Sequence, residues 1–253
     1  MQSPAHELFL DWYAQLERRH LAELSFSEVR RAVQALSARY VERRGALRAS
    51  GALRGAGKRA AFALYFGPLH FLTVLGVVEQ LDIAEPPRRI IDLGCGTGVA
   101  AAAWASSSSK VPRLLGIDHS AWAVGETRWT WQRLGLAGQV RRGNLMRFPE
   151  PRGGEAILLA YTINELGDDD RRALRERLLG IAARNSSILV IEPIARRISP
   201  WWAEWSAAFE PFGGRANEWR FRVRLPERLQ LLDRAAGMDH RELTARSLLV
   251  PVS

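Results

Sequence analysis

Four stretches of the chain place ligand-holding or reactive residues where turns would expose them. Asp92-Leu93-Gly94-Cys95-Gly96-Thr97-Gly98 sets an acid ahead of three glycines at alternate positions. A tight turn needs positive φ or no Cβ, and a ligand lying against backbone needs the same missing side chain. Gly116-Ile117-Asp118 brings a second carboxylate 26 residues after Asp92. An acid there can accept hydrogen bonds from both hydroxyls of a ribose. Asn164-Glu165 follow Ala160-Tyr161-Thr162-Ile163 at the end of an apolar run. They either orient and deprotonate an acceptor or cap the helix that follows. His70, in Gly67-Pro68-Leu69-His70-Phe71, is either a general base near neutral pH or a hydrogen-bonded core histidine.

The glycine motif is not one of the phosphate-binding kinds. No Gly-Lys-Ser/Thr follows it, and Gly-x-Gly-x-x-Gly is not met. The leading acid favours a cationic ligand over a pyrophosphate. Cys95 is the single cysteine, which excludes an internal disulfide and a cysteine metal cluster within one chain. Inside a crowded turn it reads as a small structural side chain, with a nucleophilic role as the alternative. His6, His20 and His240 have no partners at metal-ligand spacing, so no metal is expected.

These residues need elements to hold them. Apolar strand runs fall at 89–93, 113–118, 139–142, 156–161 and 187–192, with helix candidates between them at 99–106, 120–134 and 170–183. Such alternation predicts an α/β fold: a Rossmann-like, doubly wound, mostly parallel seven-stranded sheet covered on both faces. The tail adds a helix near 201–209, a strand at 219–224, a helix at 227–236 and a strand at 243–250, one of them antiparallel in the sheet. The chain divides into an N-terminal helical lid or acceptor-binding region, 1–87, and a Rossmann-like domain, 88–253, with an aromatic insertion about 200–221.

Within the helical region, Ser3-Pro4 reads as an N-cap with proline at the first helical position. Ser25-Phe26-Ser27-Glu28 is a capping box. Residues 60–78 form a 19-residue run without a formal charge. Gly67-Pro68 breaks that run, which predicts two buried helices rather than a membrane span. With no signal-peptide pattern at the start, a cytoplasmic location and no membrane partner are expected.

The 253 residues carry a formal charge of +9, and 34 of the 36 basic residues are arginine. Arg30–Arg59 alone holds nine basic residues and one acid, a charge of +8, leaving +1 elsewhere. The protein is therefore near neutral with one basic segment, which can bind phosphate, RNA or the ribosome or be only a solvated face.

Asp-x-Gly-x-Gly-x-Gly with a downstream acid resembles the class I (Rossmann-like) S-adenosylmethionine-dependent methyltransferases, over about residues 88–192. The resemblance implies S-adenosyl-L-methionine as cofactor. Gly94, Cys95, Gly96 and Gly98 would line its methionine and ribose, with Asp92 anchoring the turn and reaching the amino group. Asp118 would hold the ribose hydroxyls and His119 would lie beside the adenine. Asn144, followed by Leu145, stands where the family has an acid for the adenine amino group, and its amide oxygen can accept the same bond. Tyr161, Asn164 and Glu165 would lie beside the transferred methyl. The Asn/Asp-Pro-Pro-Tyr/Phe of amino-directed nucleic-acid enzymes is not present there.

In the family the region after the fifth strand walls the acceptor pocket. Trp201, Trp202, Trp205 and Trp219, with Tyr65 and His70 from the helical region, would then hold a small hydrophobic or aromatic acceptor, or would simply pack the core. A narrower set is similar to the mitochondrial small-ribosomal-subunit methyltransferase-like family: Leu36-Ser37-x-x-Tyr40, residues 60–72, the Asp92 motif, Ala160-Tyr161-Thr162 with Glu165-Leu166, and Glu192-Pro193. Trp219-Arg220-Phe221 stands where that family has Trp-Cys-His-Phe, and its other cysteines are missing, so no iron–sulfur cluster is implied. From this come two further readings: a ribosomal RNA methyltransferase, or a cofactor-binding ribosome-assembly factor with little or no catalysis.

Overall fold

A computed structural model of the protein describes residues 3–42 and 55–253, apart from 82, 84, 185, 196–198 and 253. Seven strands form one sheet in the order β3-β2-β1-β4-β5-β7-β6. They are β1 Arg89–Leu93, β2 Arg113–Asp118, β3 Gly138–Arg142, β4 Glu155–Ala160, β5 Ser187–Glu192, β6 Arg215–Arg222 and β7 Glu242–Val250. β7 alone runs antiparallel to its neighbours β5 and β6. The expected seven-stranded, mostly parallel sheet is thus present. In the tail, β6 begins four residues earlier than its apolar run, because an edge strand needs only one paired side.

Alternation along each strand splits the core in two. Ile90, Leu114, Leu158, Leu189 and Ile191 face one side, together with α5 (Val99–Ser107) and α6 (Ala121–Arg133). The same core takes in the N-terminal helices α1 (Pro4–His20) and α4 (Gly67–Gln80), and α9 (Glu227–Ala235). Ile91, Leu93, Ile157, Leu159 and Val190 face the other side, under α7 (Asp168–Ala182) and α8 (Trp202–Phe209). The helical region therefore packs on one face of the sheet and shares its core. α2 (Phe26–Glu42) opens with the capping box: Ser25 N–H donates to Glu28 Oε2 at 2.8 Å, and Glu28 N–H to Ser25 Oγ at 3.3 Å. Ser3 precedes α1, but its hydroxyl donates to Glu79 rather than capping the helix.

The apolar run does not break at Gly67-Pro68. α3 (Ala56–Ala61) and α4 are joined by a π-helical turn, Phe62–Phe66, into one helix, Ala56–Gln80. That helix is long and apolar enough to cross a membrane, yet 78% of its most apolar window is buried inside the protein. The proline explains the turn. Pro68 has no N–H for the carbonyl of Leu64, four residues back. Gly67 N–H instead bonds to Phe62 O, five residues back, and the Tyr13 hydroxyl donates to Leu64 O at 3.5 Å. The widened turn absorbs the residue that would otherwise end the helix.

Candidate active site

The glycine motif leaves β1 at the carboxyl edge of the sheet, between β2 and β4. Gly94 and Cys95 N–H both bond to Ile117 O, at 2.8 and 3.1 Å, so the turn is tied to β2. Gly94, Gly96 and Gly98 all have positive φ. At Gly98 a Cβ would lie 2.5 Å from Thr127 Cγ2 and 2.7 Å from Trp131 Nε1. α6 thus clamps the turn: Trp131 Nε1 donates to Gly98 O at 2.8 Å and Thr127 Oγ1 to Gly96 O at 2.8 Å. A Cβ at Gly96 would meet nothing within 4 Å, so that glycine borders open space. Cys95 is buried beside Thr127, and burial pushes its thiol well up, which makes it a packing residue and not a nucleophile.

Asp118 ends β2 with its carboxylate drawn across this turn. Oδ2 accepts from Gly96 N–H at 2.9 Å and Oδ1 from Ser120 N–H at 2.8 Å. Each oxygen keeps a second lone pair, which leaves room for two ribose hydroxyls. Asp92 lies deeper, 1% exposed, and its Oδ2 has no hydrogen-bond partner. Burial, with Asp118 adding to it, holds its carboxyl up to about 7. Thr97 Oγ1 is a second buried atom without a partner. An orphaned carboxylate oxygen, an orphaned hydroxyl and an open glycine edge fit a ligand with an ammonium group and a ribose.

β4 supplies the next wall. Tyr161, directly after it, has φ +58°, a left-handed conformation uncommon for a residue with a bulky side chain. Its ring stacks on His70 of α4, centroids 3.8 Å apart and 12° from parallel. The apolar surroundings lower the His70 pKa to about 4, so the imidazole is neutral at physiological pH. It is half-buried and serves as an acceptor or donor of hydrogen bonds rather than a strong base. Glu165, in a short 3-10 turn (Ile163–Glu165), is exposed, with protein packed beside its carboxyl. Those surroundings, and then the Asp118 charge, hold its carboxyl up to about 7. That value suits proton removal near neutral pH.

Asn164 has a different task. Its Nδ2 donates to Glu192 Oε2 at 2.6 Å, and its Oδ1 accepts from Trp201 Nε1 at 2.9 Å. Glu192, fully buried at the end of β5, also accepts from Ile163 N–H at 2.8 Å. Burial raises its carboxyl to about 8. Asn164 is therefore a strut that ties the β4 loop to β5 and to the aromatic segment, and not a catalytic group. Its helix-cap reading fails as well, because Gly167 stands before α7.

The expected aromatic wall is not one surface. Trp205 is 1% exposed and packs against Trp201 and Phe209 in the core under α8. Trp201 is buried there too, and Trp202 lies half-buried beneath the Arg246 guanidinium at 5.0 Å. Trp219 sits on the opposite face of the sheet, its Nε1 donating to Ser247 Oγ at 2.8 Å. Tyr65 is buried as well, with its hydroxyl on Asp233 at 2.9 Å. These five residues pack the fold. What adjoins the glycine turn is a cluster that periodicity did not single out: Phe62, Phe66 and Trp122, all half-buried. Phe62 meets Phe66 at 5.8 Å and Trp122 at 6.0 Å. Trp122 is two residues beyond Ser120, the N–H partner of Asp118, and Gly67, next after Phe66, lies against Thr97. The only sequence signal was the π-forming Gly67-Pro68.

At the adenine end, His119 is exposed, and Asn144 is exposed with its Oδ1 accepting from Met146 N–H at 2.8 Å. One lone pair of that oxygen remains for an amino group. Leu145 is half-buried and packs on the α7 side. Among the described residues no His/Cys/Asp/Glu group could hold a metal ion.

Residues 90–181 match a family described as a methyltransferase domain. Residues 90–181 thus carry a class I, S-adenosylmethionine-dependent methyltransferase domain. A trans-aconitate 2-methyltransferase of Pseudomonas aeruginosa is 36% identical over 106 residues, 41% of this chain and 36% of that protein. Ribosomal RNA small subunit methyltransferase C of Klebsiella pneumoniae is 49% identical over 67 residues, 26% of this chain and 19% of that protein. The matched stretches thus span about a third and a fifth of those proteins. The methyltransferase fold extends further than either match. The structure of the mitomycin 7-O-methyltransferase superposes on 99% of this chain and 69% of its own, at 15% identity and a TM-score of 0.53. A Nostoc punctiforme protein described as an O-methyltransferase does so on 87% and 69%, at 12% identity and a TM-score of 0.54. S-adenosylmethionine, the cofactor of this methyltransferase class, carries the ammonium and ribose that the recess at Asp92, Gly96 and Asp118 suits.

Proposed function

We propose that the protein transfers the methyl group of S-adenosylmethionine to a nucleophilic atom of an acceptor carrying a planar, apolar body, and that this acceptor is a small molecule. The observation that carries the reading is the acid-lined recess. The open edge of Gly96 and the spare lone pairs of Asp118 meet at the glycine turn, with the orphaned Asp92 oxygen buried behind it and Glu165 near enough for the Asp118 charge to act on it. Bound there, the cofactor supplies an already activated methyl, so alignment and exclusion of water do most of the work. Asp118 would hold the ribose and Asp92, charged once a cation faces it, the amino group. Phe62, Phe66 and Trp122, with the His70–Tyr161 stack, would bury the acceptor ring. Glu165 would take the proton from the acceptor nucleophile.

The ribosomal RNA reading keeps one support in the relatives, since one of them is a ribosomal RNA enzyme by name. Of the segment that suggested it, the side chains of Arg39, Arg43, Arg44, Arg48 and Arg54 lie outside the described residues. A tritiated-methyl transfer assay against RNA, protein and small-molecule fractions of a cell extract tests both. Label in the small-molecule fraction is the expected result. Label in RNA alone would replace the small acceptor, and label nowhere would favour a binding protein without turnover.

A further inference from the structure

At the carboxyl end of β3, beside the adenine end of the recess, a cavity of about 360 Å³ is lined by Arg141, Arg142 and Arg147, with Gly143, Asn144, Ile117 and Pro149. We infer that this cavity is a phosphate-binding site adjoining the cofactor recess, with Asn144 on the border between the two. Three arginines line it, Arg141 and Arg142 from opposite faces of the end of β3 and Arg147 from the loop beyond, and no carboxylate does. The acids that could neutralise them are committed elsewhere. Asp118, paired with Arg142 across the β2–β3 ladder, has its oxygens on the N–H groups of Gly96 and Ser120. Glu150, next after Pro149, is paired with Arg177 and Arg184. Arg142 is steadied by its Nε, which donates to His119 O at 3.1 Å. Among the described residues, the Arg141 and Arg147 guanidiniums make no hydrogen bond or ion pair. Arginines gathered along one cavity repel, and a dianion held by Arg141 and Arg147 offsets that repulsion through charge-assisted hydrogen bonds.

The second large cavity, of about 650 Å³ between α1 and α6, differs on each count. Asp11 lines it, and its Arg19 is bound at 3.0 Å to both oxygens of Glu126. Beside β3, Ile117 and Pro149 add an apolar floor, and the Asn144 amide N–H₂ is free to donate, which suits a phosphate carried on an organic body. Strands lie about 4.8 Å apart, so this end of β3 is roughly 10 Å from the glycine turn on β1. A ligand held there reaches toward the recess without entering it. The chemistry shared by a phosphorylated small molecule and an RNA backbone is the phosphate group.

The test uses the full chain without cofactor, so its outcome does not depend on methyl transfer. Inorganic triphosphate, monitored by calorimetry, and a fluorescent single-stranded oligoribonucleotide, monitored by anisotropy, are the probes. The site predicts that both bind and compete, and that Arg141→Ala and Arg147→Ala each weaken triphosphate about tenfold. Charge reversal with Arg147→Glu abolishes binding. All three side chains are exposed, so the variants keep the fold, and S-adenosylmethionine affinity stays within threefold of the parent. Triphosphate binding without oligonucleotide binding also supports the site and assigns it to a small phosphorylated ligand. No triphosphate binding, or binding that survives the three substitutions, overturns it. A chain that binds triphosphate but not S-adenosylmethionine keeps this site and loses the methyl-transfer reading instead.

Discussion

Asp118 and Gly96 are joined by a 2.9 Å hydrogen bond, side-chain Oδ2 to backbone N–H, that folds the end of β2 over the glycine turn of β1. With Ser120 N–H on the other oxygen, the carboxylate is fixed in place before any ligand arrives. That preorganisation spares the ordering cost a mobile side chain would add to binding.

Replacing it should therefore show in cofactor affinity. Asp118→Ala removes the group expected to hold the ribose and frees two backbone donors. Calorimetry should find S-adenosylmethionine bound about 10- to 100-fold more weakly, since hydrogen bonds to a charged group contribute about 1.5–3 kcal/mol each.

Glu165→Gln keeps the side-chain shape and removes the base. The value of about 7 predicts a parent kcat/KM that rises with pH and levels above about 7, as Glu165 ionises. The variant should lose about 100-fold in kcat together with that limb, while cofactor affinity stays within threefold. A pH profile of single-turnover methyl transfer reads both effects.

Raised carboxyls also predict how stability depends on pH. Asp92, Glu165 and Glu192 titrate at about 7, 7 and 8 in the folded protein, against ordinary values of 3.8, 4.5 and 4.5. Between those limits the folded state holds protons the unfolded chain has released, so stability falls as pH rises. The ligand-free protein should melt at a lower temperature at pH 8 than at pH 6. Glu192→Gln should flatten that difference.

At Gly98 the added methyl of an alanine would press into Thr127 and Trp131, and φ +76° strains any side chain. Gly98→Ala should cost about 1–3 kcal/mol in denaturant unfolding. Gly96→Ala, with open space around it, should cost about 1 kcal/mol, from backbone strain alone.

Much of this arrangement was readable in the residues. β1, β2 and β5 coincide with their apolar runs because both faces of a buried parallel strand must be apolar. The Asp92 and Asp118 positions follow from the same pattern, since a carboxylate closing such a run sits at the strand's end, where ligands bind. What sequence did not reveal depends on which face of the sheet a side chain meets. Trp205 and Trp219 are 14 residues apart on either side of a 3-10 turn at Glu210–Phe212, yet they end on opposite faces, so no acceptor pocket collects them. Asn164 looked catalytic by type and place, but its two ends are taken by Glu192 and Trp201, partners 28 and 37 residues away. The helix break at Pro68 was averted by a carbonyl partner, Tyr13, from another helix. Long-range pairings of this kind leave no local trace.

The account rests on the recess being an S-adenosylmethionine site, and isothermal calorimetry of the full chain with that compound tests it most directly. One cofactor should bind per chain, with affinity falling at least tenfold in Asp118→Ala. No detectable binding to the parent protein, or equal affinity in the parent and the variant, would contradict it.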